Sequence, residues 1–351
     1  FKDINVPIKV YNRISDLNIN ISENFLSYGI NNLVNRNIKF DKNKIRNKLI
    51  GKTIFISGGG GSIGSELSKQ LIIFEPKVII ILENSEYNLY KIKNTLDNIL
   101  ENNKNYKNKS LKIHYYLCDL GDQNQLENII NLHRPKIVFH TAAYKHVNIL
   151  ENDSNYMSAI KNNVLNTYFL LNILNKYGCE EFIFISTDKA VKPTSLMGKT
   201  KRLGEILCNY FDLLDNKKIE KFTTVRFGNV ISSAGSVIPL FINQIKNKLP
   251  VTITNPNVTR YFMTIEEAVG LIFQSTTLTK QSSKYMLKMG KSIKIDEIAK
   301  KLIKYYGFKV GNGVDDNTIK IDYVGLKKGE KLHEDLGNFK DFKITSHPDI
   351  Y

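Results

Sequence analysis

Long hydrophobic runs are missing from this 351-residue sequence, and cysteine is scarce. No apolar stretch approaches the ~20 residues that a membrane-spanning helix needs, and no secretory signal opens the chain. The three cysteines, Cys118, Cys179 and Cys208, are scattered and form no C-x-x-C pair, which argues against a disulfide framework and against a zinc site. We therefore expect a soluble chain of the reducing cytoplasm that holds no metal.

The first residue is Phe1 rather than a methionine. We therefore expect the sequence to be a piece of a longer protein, with room for a membrane segment upstream. Its length and its apolar content of 42% are sufficient for one large α/β domain and a smaller one. Residues 1–48 are polar and rich in asparagine, with sparse apolar positions such as Ile30, Leu33 and Val34, and they predict a lead-in segment packed on a domain surface.

The net charge of +16 raises the question of a nucleic acid or an anionic membrane surface as partner. Lysine is spread along the whole chain beside abundant asparagine and isoleucine, and no basic block with interleaved aromatic residues stands out. We therefore expect no nucleic-acid partner. A positive field of this kind favours the capture of a small anionic ligand.

The stretch TIFISGGGGSIGSELSKQL, residues 53–71, predicts a strand, a tight turn and a helix. Its glycines Gly58, Gly61 and Gly64 have a G-x-x-G-x-x-G spacing, which lets the chain turn sharply, lets a pyrophosphate approach the backbone and lets the helix pack closely on the strand. The N-terminus of the helix then offers N–H groups and a positive dipole end to phosphates. The alternative is a glycine-rich surface loop.

The next apolar run ends at Glu83, about 25 residues after Gly58, where a dinucleotide fold places the acid that binds the adenosine ribose. A carboxylate at this place repels a 2′-phosphate, which favours NAD over NADP. Apolar strands then alternate with amphipathic helices, which predicts a parallel sheet covered on both faces. The predicted strands are 53–57, 77–82, 112–117, 136–140, 181–186 and 222–227, and the predicted helices are 62–74, 86–101, 122–132, 154–177 and 196–214.

This pattern predicts an α/β fold, a Rossmann-type doubly wound parallel sheet over residues 49–227. Residues 228–351, with strand-like 251–254 and helices near 264–279 and 292–306, are expected to form mainly a smaller substrate-binding lobe that is partly interleaved with the first domain. Ligands of such a sheet bind at the C-terminal ends of its strands. At these ends lie Asp119 and Leu120, expected near the adenine, and the small residues Ala142 and Ala143, which let a cofactor pass close to the backbone.

His146 follows in the same loop and is expected to be a neutral hydrogen-bonding residue rather than a catalytic one. After the fifth strand come Thr187, Asp188 and Lys189, a hydroxyl, a carboxylate and an amine on consecutive residues. Alone, such a triplet is more often a solvated loop. At this place in a dinucleotide fold it supplies an acid and a base within reach of a substrate.

Seven blocks of the sequence resemble the extended short-chain dehydrogenase/reductase superfamily and, within it, the UDP-N-acetylglucosamine 4,6-dehydratases of bacterial polysaccharide and protein-glycan synthesis. The resemblance extends from Gly51 to about Leu336, and long members of this group carry an N-terminal membrane region. The blocks are GGGGSIGSEL, ENSEYNLY, HTAAYKHV, STDKAVKPTSLMGKTKRLGE, VRFGNVISSAGSVIPLF, TRYFMTIEEA and GLKKGEKLHEDL.

The resemblance implies the reaction. NAD takes hydride from C4 of the sugar, water is lost across C5 and C6, and the hydride returns to C6. It further implies that Asp188 is the acid that protonates the leaving C6 hydroxyl, that Lys189 is the base that removes the C5 proton and that Thr187 hydrogen-bonds the C4 oxygen. A lysine base needs a lowered pKa, and we expect burial and the neighbouring cation Lys201 to lower the pKa of Lys189.

The remaining implied contacts divide between cofactor and substrate. Lys201 is expected to hold the nicotinamide ribose, and Lys145 to contact both ligands. The implied cofactor-binding residues are Gly58, Gly61, Ser62, Ile63, Gly64, Glu83, Ser85, Asp119, Leu120, Ala142, Ala143, Lys145 and Lys201. The implied substrate-binding residues are Lys145, Asn229, Ser236, Arg260 and Glu330, with Asn229, Ser236 and Arg260 at the diphosphate and Glu330 at the uridine ribose. For Arg260 the alternative is a surface salt bridge.

Two departures from the family pattern matter. The tyrosine of the superfamily's Y-x-x-x-K motif is Met197 here, and an arginine usual in the last block is Lys327, which leaves the choice of nucleotide less secure. A thioether cannot remove a hydroxyl proton. Either the chain is a non-catalytic dinucleotide binder, or the C4 proton leaves through Thr187, Asp188 or a water, and the retained Asp188–Lys189 pair favours the second.

Three hypotheses follow: the dehydratase, a nucleotide-sugar C4 epimerase, and a catalytically silent NAD-binding regulator. The sequence does not determine the C5 stereochemistry, although the resemblance to the long, membrane-anchored members favours retention. We also expect a homo-oligomer, since superfamily members commonly pair through the two long helices, predicted here at 154–177 and 196–214. We expect a cytoplasmic location, and the resemblance implies the cytoplasmic face of the inner membrane for the full-length protein.

Overall fold

The structure, a computed structural model, describes residues 38–102, 111–231, 233, 235–313, 315–337 and 342–351. The apolar positions Ile30, Leu33 and Val34 of the predicted lead-in segment lie outside these residues. The part of that segment within them includes the start of a helix, Lys42–Leu49, which buries Ile45 and Leu49.

The strands of the described residues follow the predicted order, with additional short strands after residue 228. They are β1 (Thr53–Ser57), β2 (Val78–Glu83), β3 (Lys112–Leu117), β4 (Ile137–His140), β5 (Cys179–Thr187), β6 (Ile219–Phe227), β7 (Asn229–Val230), β8 (Val251–Ile253), β9 (Thr259–Arg260), β10 (Phe262–Met263), β11 (Ser283–Met286), β12 (Ile293–Lys294), β13 (Lys309–Val310), β14 (Thr318–Ile319) and β15 (Ile321–Tyr323).

Seven of these strands form one sheet in the order β11-β6-β5-β4-β1-β2-β3, and every neighbouring pair is parallel. The chain starts in the middle of the sheet, moves to one edge and then returns to build the other half. This order confirms the predicted doubly wound fold. The switch point lies between β1 and β4, where ligands of such sheets bind.

The helices are α1 (Lys42–Leu49), α2 (Ser62–Leu71), α3 (Glu86–Asn102), α4 (Gln123–His133), α5 (Val147–Leu150), α6 (Tyr156–Ile160), α7 (Asn166–Tyr177), α8 (Leu196–Asp212), α9 (Val237–Lys246), α10 (Ile265–Thr276) and α11 (Ile295–Tyr305). The prediction of one continuous helix over 154–177 is wrong, because a π-helical turn, Lys161–Leu165, separates α6 from α7. Such turns commonly lie near functional sites.

The side chains of β1 show how the sheet is buried on both faces. Ile54 and Ile56 point into one core layer, and Phe55 points into the other, because successive residues of a strand alternate between faces. All three are fully buried. The alternating sequence of strands and helices therefore produces two core layers around one sheet.

The chain after residue 228 contributes to two cores. Helices α9 and α11 pack with β8 and β10 around a separate apolar cluster that includes Phe241 and Ile303. Helix α10 instead packs against α2, and β11 extends the parallel sheet beside β6. Among the described residues, no helix is both long enough and apolar enough to cross a membrane.

Candidate active site

Two adjacent openings lie at the C-terminal ends of the central strands. The first, here called the glycine-loop cleft, has a volume of about 190 Å³ and is lined by Gly58, Gly61, Glu83, Asp119, Leu120, Ala142 and Ala143 among others. The second, here called the lysine cavity, has a volume of about 310 Å³ and is lined by Lys145, Lys189, Asn229, Ser236, Arg260, Glu330 and Glu334 among others. The residues expected to bind a cofactor and those expected to bind a substrate thus fall largely into separate openings.

The glycine loop requires glycine for steric reasons. Gly58 has a φ of 67°, and a Cβ there would lie 2.7 Å from the Cα of Ala142. A Cβ on Gly64 would lie 2.3 Å from the carbonyl oxygen of Gly58, so the first turn of α2 touches the loop. Gly61 lines the cleft and is the N-cap of α2, with no side-chain cap among the described residues. The positive end of α2, where Ser62 and Ile63 lie, therefore borders the cleft.

Glu83 lies at the end of β2 and fixes the glycine loop. Its Oε2 accepts a hydrogen bond from the N–H of Gly60 at 2.9 Å, and its Oε1 accepts from the N–H groups of Asn84 and Ser85, each at 3.1 Å. The sequence pattern predicts that this carboxylate binds a ribose, and the structure shows that it also braces the loop. Ser85 contributes its backbone here, and its Oγ accepts from Asn88 at the start of α3.

Two predicted cofactor residues lie away from the glycine-loop cleft. Lys145 lines the lysine cavity, where burial lowers its pKa. Lys201 is buried in α8, donates from Nζ to the carbonyl oxygen of Ile185 at 2.8 Å and lies over the ring of Phe184. Burial lowers the pKa of Lys201 to about 8.

The catalytic candidates meet at the end of β5. Thr187 donates from Oγ1 to Oδ1 of Asp188 at 2.9 Å, and Lys189 Nζ lies 3.0 Å from the same oxygen. Asp188 is fully buried, and its Oδ2 has no hydrogen-bond partner among the described residues. Lys189 reaches the lysine cavity with 18% of its side chain exposed. The acid and base candidates are therefore in direct contact, with the lysine facing the cavity.

The predicted charge state of Lys189 is wrong for the structure. Burial does lower its pKa, but the carboxylates of Asp188 and Glu334 outweigh burial and raise the pKa above the ordinary lysine value. Arg260, rather than the expected Lys201, is the cation that opposes them. Lys189 is consequently an ammonium ion at neutral pH, and it needs a change in its surroundings before it can accept a proton.

Arg260 is buried and has several protein partners. Its Nη1 donates to the carbonyl oxygens of Thr259 and Leu332, and its Nη2 forms an ion pair with Oε1 of Glu330 at 2.9 Å. Glu330 also accepts from Oγ1 of Thr254 at 2.9 Å. The structure therefore joins two predicted substrate residues, Arg260 and Glu330, in one ion pair at the wall of the lysine cavity.

Asn229 and Ser236 lie on the same wall. Asn229 Oδ1 accepts a hydrogen bond from Lys189 Nζ at 3.0 Å. Ser236 is the N-cap of α9, but its Oγ is buried without a hydrogen-bond partner among the described residues. A buried hydroxyl at a helix N-terminus in a cavity wall is suited to an anionic ligand.

Neither Met197 nor His146 has a charged side chain at the site. Met197 is buried in a small cluster with Leu150 and Ala159, and it is not among the residues that line either opening. His146 lines the lysine cavity, and burial, assisted by Lys145, lowers its pKa, so its ring is neutral as expected.

Glu334 is a residue of the cavity that the sequence pattern did not indicate. This carboxylate is buried, and its Oε1 lies 3.4 Å from Lys189 Nζ and 3.8 Å from Arg260 Nε. The signal that could have indicated it is the acidic pair Glu334 and Asp335 in the last motif block, GLKKGEKLHEDL.

The chain matches proteins of known families over most of its length. A family model described as polysaccharide biosynthesis protein matches residues 54–351. The capsular polysaccharide biosynthesis protein CapD of Staphylococcus aureus is 40% identical over 89% of this chain and 48% of its own length. A UDP-glucose 4-epimerase of Rickettsia bellii is 32% identical over 82% of this chain and 78% of its own length. The chain thus spans about half the length of the CapD-type relative.

Solved structures show the same fold. The X-ray structure of Pen from Bacillus thuringiensis has a TM-score of 0.73 at 29% identity, with 86% of this chain and 87% of that chain covered. More distant structures share the fold at 17–22% identity with TM-scores of 0.62 to 0.66, and their descriptions include UDP-glucose 4-epimerases and a dTDP-glucose 4,6-dehydratase, some with NAD.

Proposed function

This chain belongs to the polysaccharide biosynthesis protein family of extended short-chain dehydrogenases/reductases, and on that premise we propose that it catalyses the NAD-dependent 4,6-dehydration of UDP-N-acetylglucosamine. The product is a UDP-2-acetamido-2,6-dideoxy-4-hexulose for bacterial glycan synthesis. The observation that carries the proposal is the contact of Asp188 Oδ1 with Lys189 Nζ, 3.0 Å apart at the end of β5, where Lys189 lines the lysine cavity.

The glycine-loop cleft fits NAD. Gly58 approaches Ala142 so closely that a side chain has no room, and the N-terminal end of α2 borders the cleft where a pyrophosphate would lie. Glu83 keeps a carboxylate at the ribose position, which disfavours a 2′-phosphate. When bound, NAD accepts a hydride from the sugar and returns it within the same turnover.

The nucleotide sugar fits the lysine cavity. The cavity wall offers Lys145, Arg260 and the N-terminal end of α9 at Ser236 as groups for a diphosphate. Arg260 is held in place by Glu330, so the guanidinium is already oriented before the ligand arrives. In our proposal, Glu330 accepts from the uridine ribose hydroxyls, as the sequence resemblance implies.

The hydrogen bond from Thr187 to Asp188 offers a route for the C4 hydroxyl proton that needs no tyrosine. Thr187 Oγ1 takes the proton from the C4 hydroxyl as it passes its own proton to Oδ1 of Asp188, 2.9 Å away. Asp188 becomes a neutral acid, ready to protonate the C6 hydroxyl as it leaves as water. The same carboxyl thus serves oxidation and elimination in turn.

Protonation of Asp188 also prepares Lys189 as the base. The carboxylate of Asp188 is the largest contribution that keeps the Lys189 ammonium charged, and burial opposes it. Once Asp188 is neutral, the effect of burial is less strongly opposed and Lys189 releases its proton to water through the exposed side of the cavity. Lys189 then takes the C5 proton. It returns that proton to C5 from the same face, which gives retention of configuration.

An epimerase is the second candidate, and the 32% identity to the Rickettsia bellii UDP-glucose 4-epimerase favours it. Epimerisation at C4 needs neither an acid for C6 nor a base for C5. The pair formed by the buried Asp188 and the half-buried Lys189 is unexplained by that reaction, whereas both residues are used in dehydration. A silent NAD-binding regulator leaves the pair equally unexplained.

The test is to incubate the protein with NAD and UDP-N-acetylglucosamine and to follow the mass of the sugar nucleotide. Loss of one water supports dehydration. An unchanged mass with a new C4 configuration shows an epimerase, and an unchanged substrate shows a silent binder. Proton NMR of fresh product, read for the C4–C5 coupling pattern and for deuterium at C5 in heavy water, determines whether the C5 configuration is retained.

We also propose a cytoplasmic location for this chain and infer a homo-oligomer. Exposed apolar side chains lie on α7 and α8, where the superfamily commonly pairs. They are Tyr168, Leu203, Ile206 and Tyr210. Burial of such a surface against a second copy removes it from water.

A further inference from the structure

Glu334 connects two of the cations of the lysine cavity, Lys189 and Arg260. Its side chain is only 3% exposed, and one oxygen, Oε1, lies 3.4 Å from Lys189 Nζ and 3.8 Å from Arg260 Nε. The other oxygen, Oε2, is buried with no hydrogen-bond partner among the described residues. The segment that carries Glu334 is anchored beside it, because the N–H of Thr259 donates to the carbonyl oxygen of Leu332 at 3.0 Å.

The Lys189 ammonium has three acceptors from three different parts of the chain. Asp188 Oδ1 lies at 3.0 Å, Asn229 Oδ1 at 3.0 Å and Glu334 Oε1 at 3.4 Å. An ammonium group has three N–H donors and no acceptor, so this set occupies it completely. Asp188 is the acid of the proposed reaction, and Asn229 is a predicted substrate contact. Glu334 is the third acceptor and has no role in the reaction described so far.

We propose that Glu334 is a positioning residue of the dehydration, which holds the amine of Lys189 toward the substrate and keeps its proton in place until Asp188 has been neutralised. This inference rests on the proposed function. Glu334 acts through Lys189 and does not itself exchange a proton with the sugar.

A purely structural ion pair is a weaker explanation of the same geometry. Removing a carboxylate from water is costly, and a buried carboxylate that serves stability alone normally has its oxygens fully hydrogen-bonded. Glu334 has one oxygen in two long contacts and the other unpartnered within the described part of the chain. This geometry is therefore poor for stabilising the fold, but it places the carboxylate close enough to affect the charge of the Lys189 amine.

The sign of its effect follows from the charges that face Lys189. These are the carboxylates of Asp188 and Glu334, which favour the ammonium, and the guanidinium of Arg260, which opposes it, with the neutral amide of Asn229 completing the set. Removing the charge of Glu334 leaves Asp188 against burial and Arg260. Lys189 must then lose its proton at a lower pH than in the unchanged protein.

A labelling experiment on the folded chain tests this without substrate. Acetylation of Lys189 by acetic anhydride is measured by mass spectrometry against a free amine standard as a function of pH. In Glu334→Gln, which keeps the shape, the labelling midpoint should fall by about one to three pH units, the usual effect of a close opposite charge. Asp335→Asn removes the neighbouring, partly exposed carboxylate, which pairs with Lys192, and should leave the midpoint unchanged.

Glu334→Asp is the second variant, and it keeps the charge on a shorter side chain. Its midpoint should lie below that of the unchanged protein but above that of Glu334→Gln. The fall relative to the unchanged protein can still be measured if the glutamine variant does not fold. An unchanged midpoint in whichever variants fold would overturn the proposal, and so would an equal fall in Asp335→Asn.

Kinetics distinguish this inference from the proposed function. In a dehydratase, the acidic limb of the kcat profile should move to lower pH in Glu334→Gln by the same amount as the labelling midpoint. If the unchanged protein removes no water while the midpoint still shifts, the reaction is wrong and the coupling to Lys189 stands. If it dehydrates the sugar and neither quantity shifts, the role of Glu334 alone is wrong.

Discussion

The glycine-loop cleft and the lysine cavity are neighbours, but they are built differently. In the cleft, close backbone contacts define the shape. Glu83 accepts hydrogen bonds from three backbone N–H groups, two of them from the next two residues in sequence. In the cavity, charged side chains from distant parts of the chain meet, as Lys189 does with Glu334. The first is a shape made by the main chain and the second is an arrangement of charges.

This difference separates binding from chemistry. A side chain added to the glycine loop must displace backbone, so it changes stability and cofactor affinity together. A charge removed from the cavity leaves the main chain in place and changes proton transfer. Variants of the two regions should therefore fail in different assays.

The largest effect is expected for Lys189→Ala. Loss of the base that takes the C5 proton should lower kcat for dehydration by about 10²–10⁴-fold, the usual contribution of a general base. The affinity for NAD, measured by calorimetry, should stay within about threefold, since the cleft is intact. Asp188→Asn should behave in the same way, because the amide cannot take up or supply the proton.

Lys192→Ala is the matched control for Lys189→Ala. Lys192 lies three residues further on, is largely exposed and pairs with Asp335 at 3.1 Å. It should keep full activity. Full activity in Lys189→Ala or Asp188→Asn would contradict the assignment of base and acid.

The next effect is expected for Gly58→Ala in the cleft. The methyl group would lie 2.7 Å from the Cα of Ala142 at a φ of 67°, so both strain and collision oppose it. We expect a loss of about 2–4 kcal/mol in the free energy of unfolding, measured in denaturant, and a weaker NAD complex.

Gly51→Ala separates the two causes. Gly51 has the same φ of 67°, but a Cβ there has no atom within 4 Å among the described residues. It should therefore cost only the left-handed strain, about 1–2 kcal/mol, and leave NAD affinity unchanged. Equal losses in the free energy of unfolding for Gly51→Ala and Gly58→Ala would show that the contact with Ala142 does not affect stability.

The cleft was predictable because its determinants are local. The spacing of Gly58, Gly61 and Gly64 and the strand ending at Glu83 lie within one strand–helix–strand unit. The same holds for the six predicted strands, whose apolar runs identify them directly. Strand β11, Ser283–Met286, escaped prediction because its sequence SKYM is short and carries little apolar periodicity.

The cavity was predictable in its residues but not in their charge state. Motif resemblance selected Asp188, Lys189 and Arg260, and the structure brings all three together. The pKa of Lys189 depends on which charges meet in space, and Glu334 is 145 positions away in the sequence. Asp188, the neighbour of Lys189 in sequence, contributes most to raising this pKa, and Glu334 adds to its effect. Only the fold shows that Glu334 takes part and that Lys201 does not.

The smallest effect on chemistry is expected at Met197, which follows the cavity-lining Ser195 in sequence but lines neither opening. Its side chain packs against Leu150 and Ala159, so Met197→Ala should lower the free energy of unfolding by about 2–3 kcal/mol through the cavity it leaves. Proton removal from the C4 hydroxyl through Thr187 does not involve the thioether, and kcat should therefore change by less than about threefold at a temperature where the variant is folded.

Met197→Leu, which nearly conserves volume, is the control. It should change the free energy of unfolding by less than about 1.5 kcal/mol and kcat by less than about threefold. A hundredfold fall in kcat for Met197→Leu would show that the methionine participates in the reaction and that the Thr187–Asp188 route is wrong.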